Sequence, residues 1–246
     1  MSGMLASVNS LDEALLIQTF NVDIIDLKQP AQGALGALPV SEVAEIVSRL
    51  RGHCVISATV GDLPMQADLL AAAVQDMAGT GVDYVKIGFF PGGDWRACIA
   101  GMAAIAQERR LIAVLFADTR PDMATISALR AAGFAGVMLD TMDKSLGSLT
   151  QLTTLSELSR FTGIAKAAGL LTGLAGSLTE ADVPPLLALE ADYLGFRGAL
   201  CRQHCRTAEL DAGRIVRIRQ LLRDAGPQNR SANAQPCGTV PNPAAS

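Results

Sequence analysis

Hydrophobic and polar positions along the chain switch repeatedly between two periods. Short apolar, β-rich runs occur at Leu5–Val8, Val22–Lys28, Cys54–Val60, Asp83–Phe89, Leu111–Asp118, Gly136–Thr141, Leu171–Gly176 and Tyr193–Gly198. Runs of this length and residue type read as buried strands. Between them lie segments with helical spacing at Leu11–Phe20, Ser41–Leu50, Ala67–Met77, Trp95–Glu108, Met123–Ala132, Leu155–Ala168, Ala181–Leu189 and Arg214–Asp224. Ser10, Ser41, Asp94, Asp122 and Thr179 stand where N-caps are expected, and Gly79, Gly133, Gly169 and Gly226 just past helix ends.

Eight strands and eight helices in strict alternation imply right-handed crossovers and a parallel sheet. The predicted fold is α/β, a closed (β/α)8 or TIM barrel. An open doubly wound sheet would show a Gly-rich fingerprint after its first strand, and Ser7–Ser10 offers none. Residues 1–226 are assigned to one barrel. Residues 227–246, rich in Pro, Asn, Ser, Gln and Ala, are expected to form a disordered tail carrying Cys237. A loose internal echo, Asn-Val-Asp23, Gly-Val-Asp83 and Glu-Ala-Asp192, opens three strands on the face opposite the usual barrel active site, so these aspartates are expected to be structural.

Composition narrows the function. The chain has 246 residues, 50% hydrophobic and 18% charged, with 20 Lys+Arg against 24 Asp+Glu and a net charge of −4. No basic field for nucleic acid exists. Charges or turns interrupt every apolar stretch well short of the ~18 residues of a spanning helix. Asp12 and Glu13 stand where a signal peptide needs an apolar core. Five scattered cysteines do not form a disulfide framework. A cytoplasmic protein that acts on neither membrane nor nucleic acid is expected.

The lysines carry the chemistry. Only 4 occur against 16 arginines, and Lys28, Lys86 and Lys144 lie at or just past the C-terminal ends of predicted strands. Those ends form the catalytic mouth of a barrel. Arginine replaces lysine wherever charge alone is needed, but it cannot lose its proton to form a Schiff base. Asp26, two residues before Lys28, shares its strand face, while Asp62, Asp118 and Asp140 converge on the same rim. Neighbouring amines depress one another's pKa and carboxylates oppose them, so such a site can hold one amine neutral. Lysines that only bind phosphate or pair with carboxylates are the alternative. The segments Gly173-Leu-Ala-Gly176-Ser177 and Gly195-Phe-Arg197-Gly198-Ala follow strands seven and eight. Barrels often hold phosphate there, with Gly176, Ser177, Arg197 and Gly198 as the candidate ligands. Cys201, His204 and Cys205 supply too few ligands at an unusual spacing for zinc, and no metal or cofactor is implied.

Six motifs in register resemble one family. They are Asp23-Ile-Ile-Asp-Leu-Lys28-Gln-Pro30, Ser57-Ala-Thr-Val-Gly-Asp62, Asp83-Tyr-Val-Lys86-Ile-Gly88, Met138-Leu-Asp140-Thr, Leu174-Ala-Gly-Ser177 and Gly195-Phe-Arg197-Gly198-Ala. Together, over Leu5 to about Leu222, they resemble the (5-formylfuran-3-yl)methyl phosphate synthases, which make the furan precursor of methanofuran. The loop Phe89–Asp94 and the segment Val114–Asp118 depart from the family pattern. The resemblance implies a Schiff-base lyase that joins two molecules of glyceraldehyde 3-phosphate, with Lys28 forming the imine and Lys86 moving protons. Asp26, Asp140 and Lys144 fall on further polar positions of that site. On this reading the enamine on Lys28 attacks the aldehyde of the second triose, and Ser177 and Arg197 hold the retained phosphate. The expected partner is a small phosphorylated triose, with a homo-oligomer compatible. A class I aldolase for a small sugar phosphate and a non-catalytic phosphate-metabolite sensor are the rival readings.

Overall fold

The computed structural model describes residues 2–50 and 52–224. Its strands are β1 (Gly3–Val8), β2 (Ile24–Leu27), β3 (Val55–Thr59), β4 (Tyr84–Gly88), β5 (Leu111–Phe116), β6 (Gly136–Asp140), β7 (Leu171–Leu174) and β8 (Tyr193–Phe196). All are parallel and pair in chain order, and β8 returns to β1 to close the barrel. The closed (β/α)8 barrel is the architecture that the alternation predicts. The helices are α1 (Leu11–Gln18), α2 (Val40–Leu50), α3 (Ala67–Gly79), α4 (Trp95–Glu108), α5 (Thr125–Ala131), α6 (Leu149–Leu152), α7 (Leu155–Ala167), α8 (Val183–Leu187) and α9 (Ala212–Asp224). None among the described residues is long and apolar enough to cross a membrane.

Local chemistry explains where these elements begin and end. The Ser10 side chain accepts from Glu13 N and the Asp94 side chain from Ala97 N, so both cap as expected. Ser41 does not cap: α2 already starts at Val40, following Pro39. The helix predicted over Ala181–Leu189 is shorter. A 3-10 turn at Glu180–Asp182 comes first, and Pro184 and Pro185 then start α8. The helix α6 lies in the loop after β6, where no helix was predicted, and is closed by a Ser148–Gln151 capping box. The expected tail 227–246, with Cys237, lies outside the described residues, as does Gly226.

Strand alternation divides the core in two. One set of strand residues, including Ala6, Ile25, Leu27, Ile56, Val85, Leu115 and Leu139, packs against the helices. The other, including Leu5, Ile24, Ile112, Val114, Phe116 and Met138, fills the lumen. Each large apolar side chain so buried contributes roughly 1.5–3 kcal/mol. Above this apolar lumen the same strand faces turn polar. Ser7 pairs in register with Asp26, and Asp26 with Ser57, across β1, β2 and β3. At the opposite end, Asp23 Oδ2 accepts the Met4 amide at 2.7 Å, Asp83 Oδ2 the Ile56 amide at 2.8 Å and Asp192 Oδ2 the Thr172 amide at 2.7 Å. The three echoed aspartates therefore pin β1, β3 and β7 to the strand that follows each.

Candidate active site

Asp26 is fully buried in the polar layer. Its Oδ1 accepts from Lys86 Nζ at 3.0 Å and from Ser57 Oγ at 2.6 Å, and its Oδ2 from Ser7 Oγ at 2.9 Å. Four adjacent strands thus build one ion pair. Burial alone would raise the Asp26 pKa, but the charges of Lys86 and Lys28, with hydrogen bonds from Ser57 and Lys86, outweigh it and hold the carboxyl below its ordinary range.

A second pair stands at the end of β6. Lys144 Nζ lies 2.5 Å from Asp140 Oδ1 and also donates to the Thr141 carbonyl. The Thr141 amide donates to Asp140 Oδ1 at 2.7 Å. Against the opposing effect of burial, Lys144, Lys28 and these hydrogen bonds bring the Asp140 pKa down to about 2. Lys144 rides on a loop held from β5. Asp118 Oδ1 accepts the Met142 amide at 2.8 Å, and its Oδ2 the Asp143 amide at 2.8 Å.

Lys28, one residue past β2, lies between the two pairs and is 8% exposed. Its backbone N–H donates to the Val8 carbonyl at 3.0 Å, but its Nζ has no hydrogen-bond or ion-pair partner among the described residues. Burial pushes its pKa down to about 8; Asp140 and Asp26 oppose the shift, and Lys144 and Lys86 add to it. The loop after it is fixed by Asp62, whose carboxylate accepts the Ala34 and Leu35 amides at 2.8 and 2.7 Å. An amine whose pKa is drawn down toward neutrality, and whose Nζ has no partner to break from, can serve as a nucleophile toward a carbonyl.

Lys28, Lys86, Asp140 and Lys144 line a cavity of about 740 Å³ whose far wall includes Gly176, Ser177, Arg197 and Gly198. Asp26 lies directly beneath, against Lys86. Gly176 has φ +112, and a Cβ there would fall 2.9 Å from the Thr141 amide, so this close turn requires glycine. Among the described residues, the N–H groups of Gly176, Ser177, Gly198 and Ala199 donate to no protein acceptor. Backbone donors of this kind cradle phosphate. Arg197 differs from its expected part. Its Nε donates to the Arg206 carbonyl, Nη1 to Ser7 O and Glu13 Oε2, and Nη2 to Glu13 Oε1 and Ala208 O. All five donors of the guanidinium are occupied by protein, leaving none for a phosphate.

With this geometry in place, comparison with known proteins is decisive about kinship. Residues 4–219 match the family model described as 4-HFC-P synthase. The chain belongs to this family. It is 33% identical over 229 residues to the (5-formylfuran-3-yl)methyl phosphate synthase of Methanopyrus kandleri, covering 87% of this chain and 95% of the relative. A Methylorubrum extorquens protein provisionally given the same name is 43% identical, covering 93% and 94%. Among solved structures, 3-hexulose-6-phosphate synthase matches with a TM-score of 0.65 at 19% identity, covering 89% of this chain and 99% of that one. Phosphoribosyl anthranilate isomerase from Thermus thermophilus matches with a TM-score of 0.64 at 12% identity, covering 90% and 98%. These likenesses show the fold alone.

Several residues around this cavity carry no signal in the sequence pattern. Ser7 and Ser57 would have been visible only with the strand register, which brings them beside Asp26. Arg206, on the cavity wall, lies in an irregular segment without periodicity. Asp182 joins two rim loops, accepting from Ser148 Oγ at 3.2 Å and from the Thr179 amide at 2.7 Å. Asp62 and Asp118, which the sequence pattern puts on the rim, each bind backbone amides of a neighbouring loop rather than facing the lysines.

Proposed function

We propose that the chain is a (5-formylfuran-3-yl)methyl phosphate synthase, a Schiff-base lyase that joins two molecules of glyceraldehyde 3-phosphate in the furan branch of methanofuran biosynthesis. The observation that carries this is Lys28: buried, unpartnered, brought to about 8, and flanked by two Asp–Lys pairs. Family membership supports the product.

The product's skeleton sets the order of bonds. Its phosphorylated methyl group is a branch on the furan ring, which a linear aldol chain cannot supply. The expectation that an enamine attacks the second aldehyde is therefore replaced. Lys28 condenses with the aldehyde of one triose, and the iminium acidifies C2. Lys86 moves that proton, and phosphate leaves from C3. The enol left behind is nucleophilic at C3 and attacks the C2 carbonyl of the second triose, which Lys86 first isomerises to its ketose form by moving the C2 proton to C1 through the enediol. The ketose hydroxymethyl oxygen then closes on the former C2 of the aldose. Hydrolysis of the imine and loss of water give the aromatic aldehyde. The balance is two trioses in, and one furan phosphate, one phosphate and two waters out. The amides at Gly176, Ser177, Gly198 and Ala199 hold the retained phosphate, while Arg197 positions the loop that carries them.

The test is incubation with glyceraldehyde 3-phosphate alone, followed by ultraviolet absorbance and product mass, with borohydride trapping in parallel. A furan phosphate and a reduced adduct on Lys28 are expected. Lys28→Ala and Lys28→Arg should both lose the adduct and on the order of 10⁴-fold or more of the activity. Normal trapping in either variant overturns the assignment of Lys28. An adduct on Lys28 without any furan favours an aldolase instead.

A further inference from the structure

We infer that Arg206 is the ligand of a second phosphoryl subsite, on the barrel mouth apart from the amide cradle after β7 and β8. The inference rests on the reading above, in which two phosphorylated trioses share one cavity. The wall of that cavity carries five Lys and Arg side chains. Lys86 is paired with Asp26, Lys144 with Asp140 and Arg197 with Glu13. Lys28 must be neutral to react. Arg206 is the one left, and it has no carboxylate within salt-bridge distance among the described residues.

Its placement is built rather than incidental. After β8, residues 201–210 form a strap closed by an antiparallel bridge between Cys201 and Leu210. Arg197 grips this strap from below through Nε to Arg206 O at 2.8 Å and Nη2 to Ala208 O at 3.1 Å, while Glu13 and the Ser7 carbonyl hold Arg197 itself. Arg206 is half-buried and reaches over the mouth to the loop after β2, where Nη2 donates to the Gly33 carbonyl at 2.9 Å. One of its five donors is thereby occupied. Burial lowers its pKa, and the charges of Asp140 and Asp62 oppose this from beyond pairing distance. Pinning the strap to Gly33 needs one neutral donor. A planar cation with its remaining donors free on a cavity wall matches a phosphate monoester, which it can bind through two parallel hydrogen bonds.

Arg206→Gln in the full chain tests this with two probes, glyceraldehyde 3-phosphate and inorganic phosphate. KM for glyceraldehyde 3-phosphate should rise about tenfold or more with kcat changed far less, and Arg206→Lys should recover part of the loss. The inorganic phosphate concentration needed for half-maximal thermal stabilisation should rise in parallel. Borohydride trapping of Lys28 by unphosphorylated glyceraldehyde should stay at the parent level, showing that the fold and the amine are intact. Unchanged KM and unchanged phosphate stabilisation overturn the subsite, as does a fall in kcat at constant KM. If the parent chain makes no furan, the synthase reading fails, and the inorganic phosphate arm still decides Arg206. If Arg206→Gln does not fold, Arg206→Lys carries the test, because it keeps the charge and loses the fork.

Discussion

The mouth of this barrel contains the same ion pair twice, built in two ways. Asp26 and Lys86 come from neighbouring parts of the sheet, with side chains 0% and 4% exposed, and serines from two further strands hold both carboxylate oxygens. Asp140 ends β6, and Lys144, four residues on, rides on the loop that follows and is 15% exposed. The first pair is as rigid as the strand register that makes it. The second is as rigid as its loop, which Asp118 ties to the end of β5. In the proposed reaction, rigid placement suits Lys86, which moves a proton at a fixed carbon. In the same proposed reaction, a pair with one member on a loop can adjust as two trioses become a planar ring.

The largest contrast should appear in stability. Asp26→Asn leaves the Lys86 ammonium buried without its counter-charge, and should cost about 3–5 kcal/mol. Asp140→Asn leaves Lys144 close to solvent and should cost about 1–2 kcal/mol after allowance for screening. Denaturant midpoints at neutral pH measure both. The double variant Asp26→Asn/Lys86→Met should recover much of the first loss, because an apolar replacement removes the unpaired charge. Equal losses from the two single substitutions would dissolve the distinction.

Acidity separates the groups next. Activity should rise with pH through about 8 as Lys28 loses its proton, and the pH dependence of kcat/KM reads this limb. The same shift affects stability. Lys28 binds its proton less well folded than unfolded, so the folded state bears a full penalty below about 8, which fades as pH climbs toward the ordinary lysine value of 10.5. Lys28→Met should therefore melt higher than the parent at pH 7, with the advantage shrinking above pH 8. Asp140 behaves oppositely. Its contribution is complete above the ordinary carboxylate value of 3.8 and is lost as pH falls through about 2. Melting temperatures of the parent and Asp140→Asn should converge over that acid window. A Lys28→Met advantage that persists undiminished at pH 10.5 would show that burial, and not charge, sets the difference.

These contrasts also show what the sequence could reveal. The barrel was legible because each strand and helix writes its own period, and the lysines stood out because strand ends can be counted along the chain. What crosses between elements was hidden. Ser7 and Ser57 meet Asp26 only through parallel register. Arg197 looked like a phosphate ligand because its partner Glu13 lies 184 residues away in the chain, and no local pattern announces that contact. Arg206 sits in a strap whose shape depends on Arg197, so its position follows from a pairing that was itself invisible. The short helix α6 was missed because four residues carry too little period to read.

The smallest expected effect isolates the loop-borne pair most cleanly. Asp118→Ala removes three amide contacts to Met142 and Asp143 and touches neither lysine. The loop should loosen, and KM should rise about three- to tenfold, since each lost charge-assisted hydrogen bond is worth roughly 1.5–3 kcal/mol and the loop can relax to recover part of it. Stability should fall by about 1–2 kcal/mol for the same reason. Imine formation on Lys28 should keep its parent rate, because the loop after β2 is held separately by Asp62. A slowed trapping rate in Asp118→Ala would mean that the two sides of the mouth move as one body. Motion of the loop after β6 would then reach the Lys28 amine, and the Asp140–Lys144 pair would not be an adjustable clamp opposite a fixed proton-transfer pair.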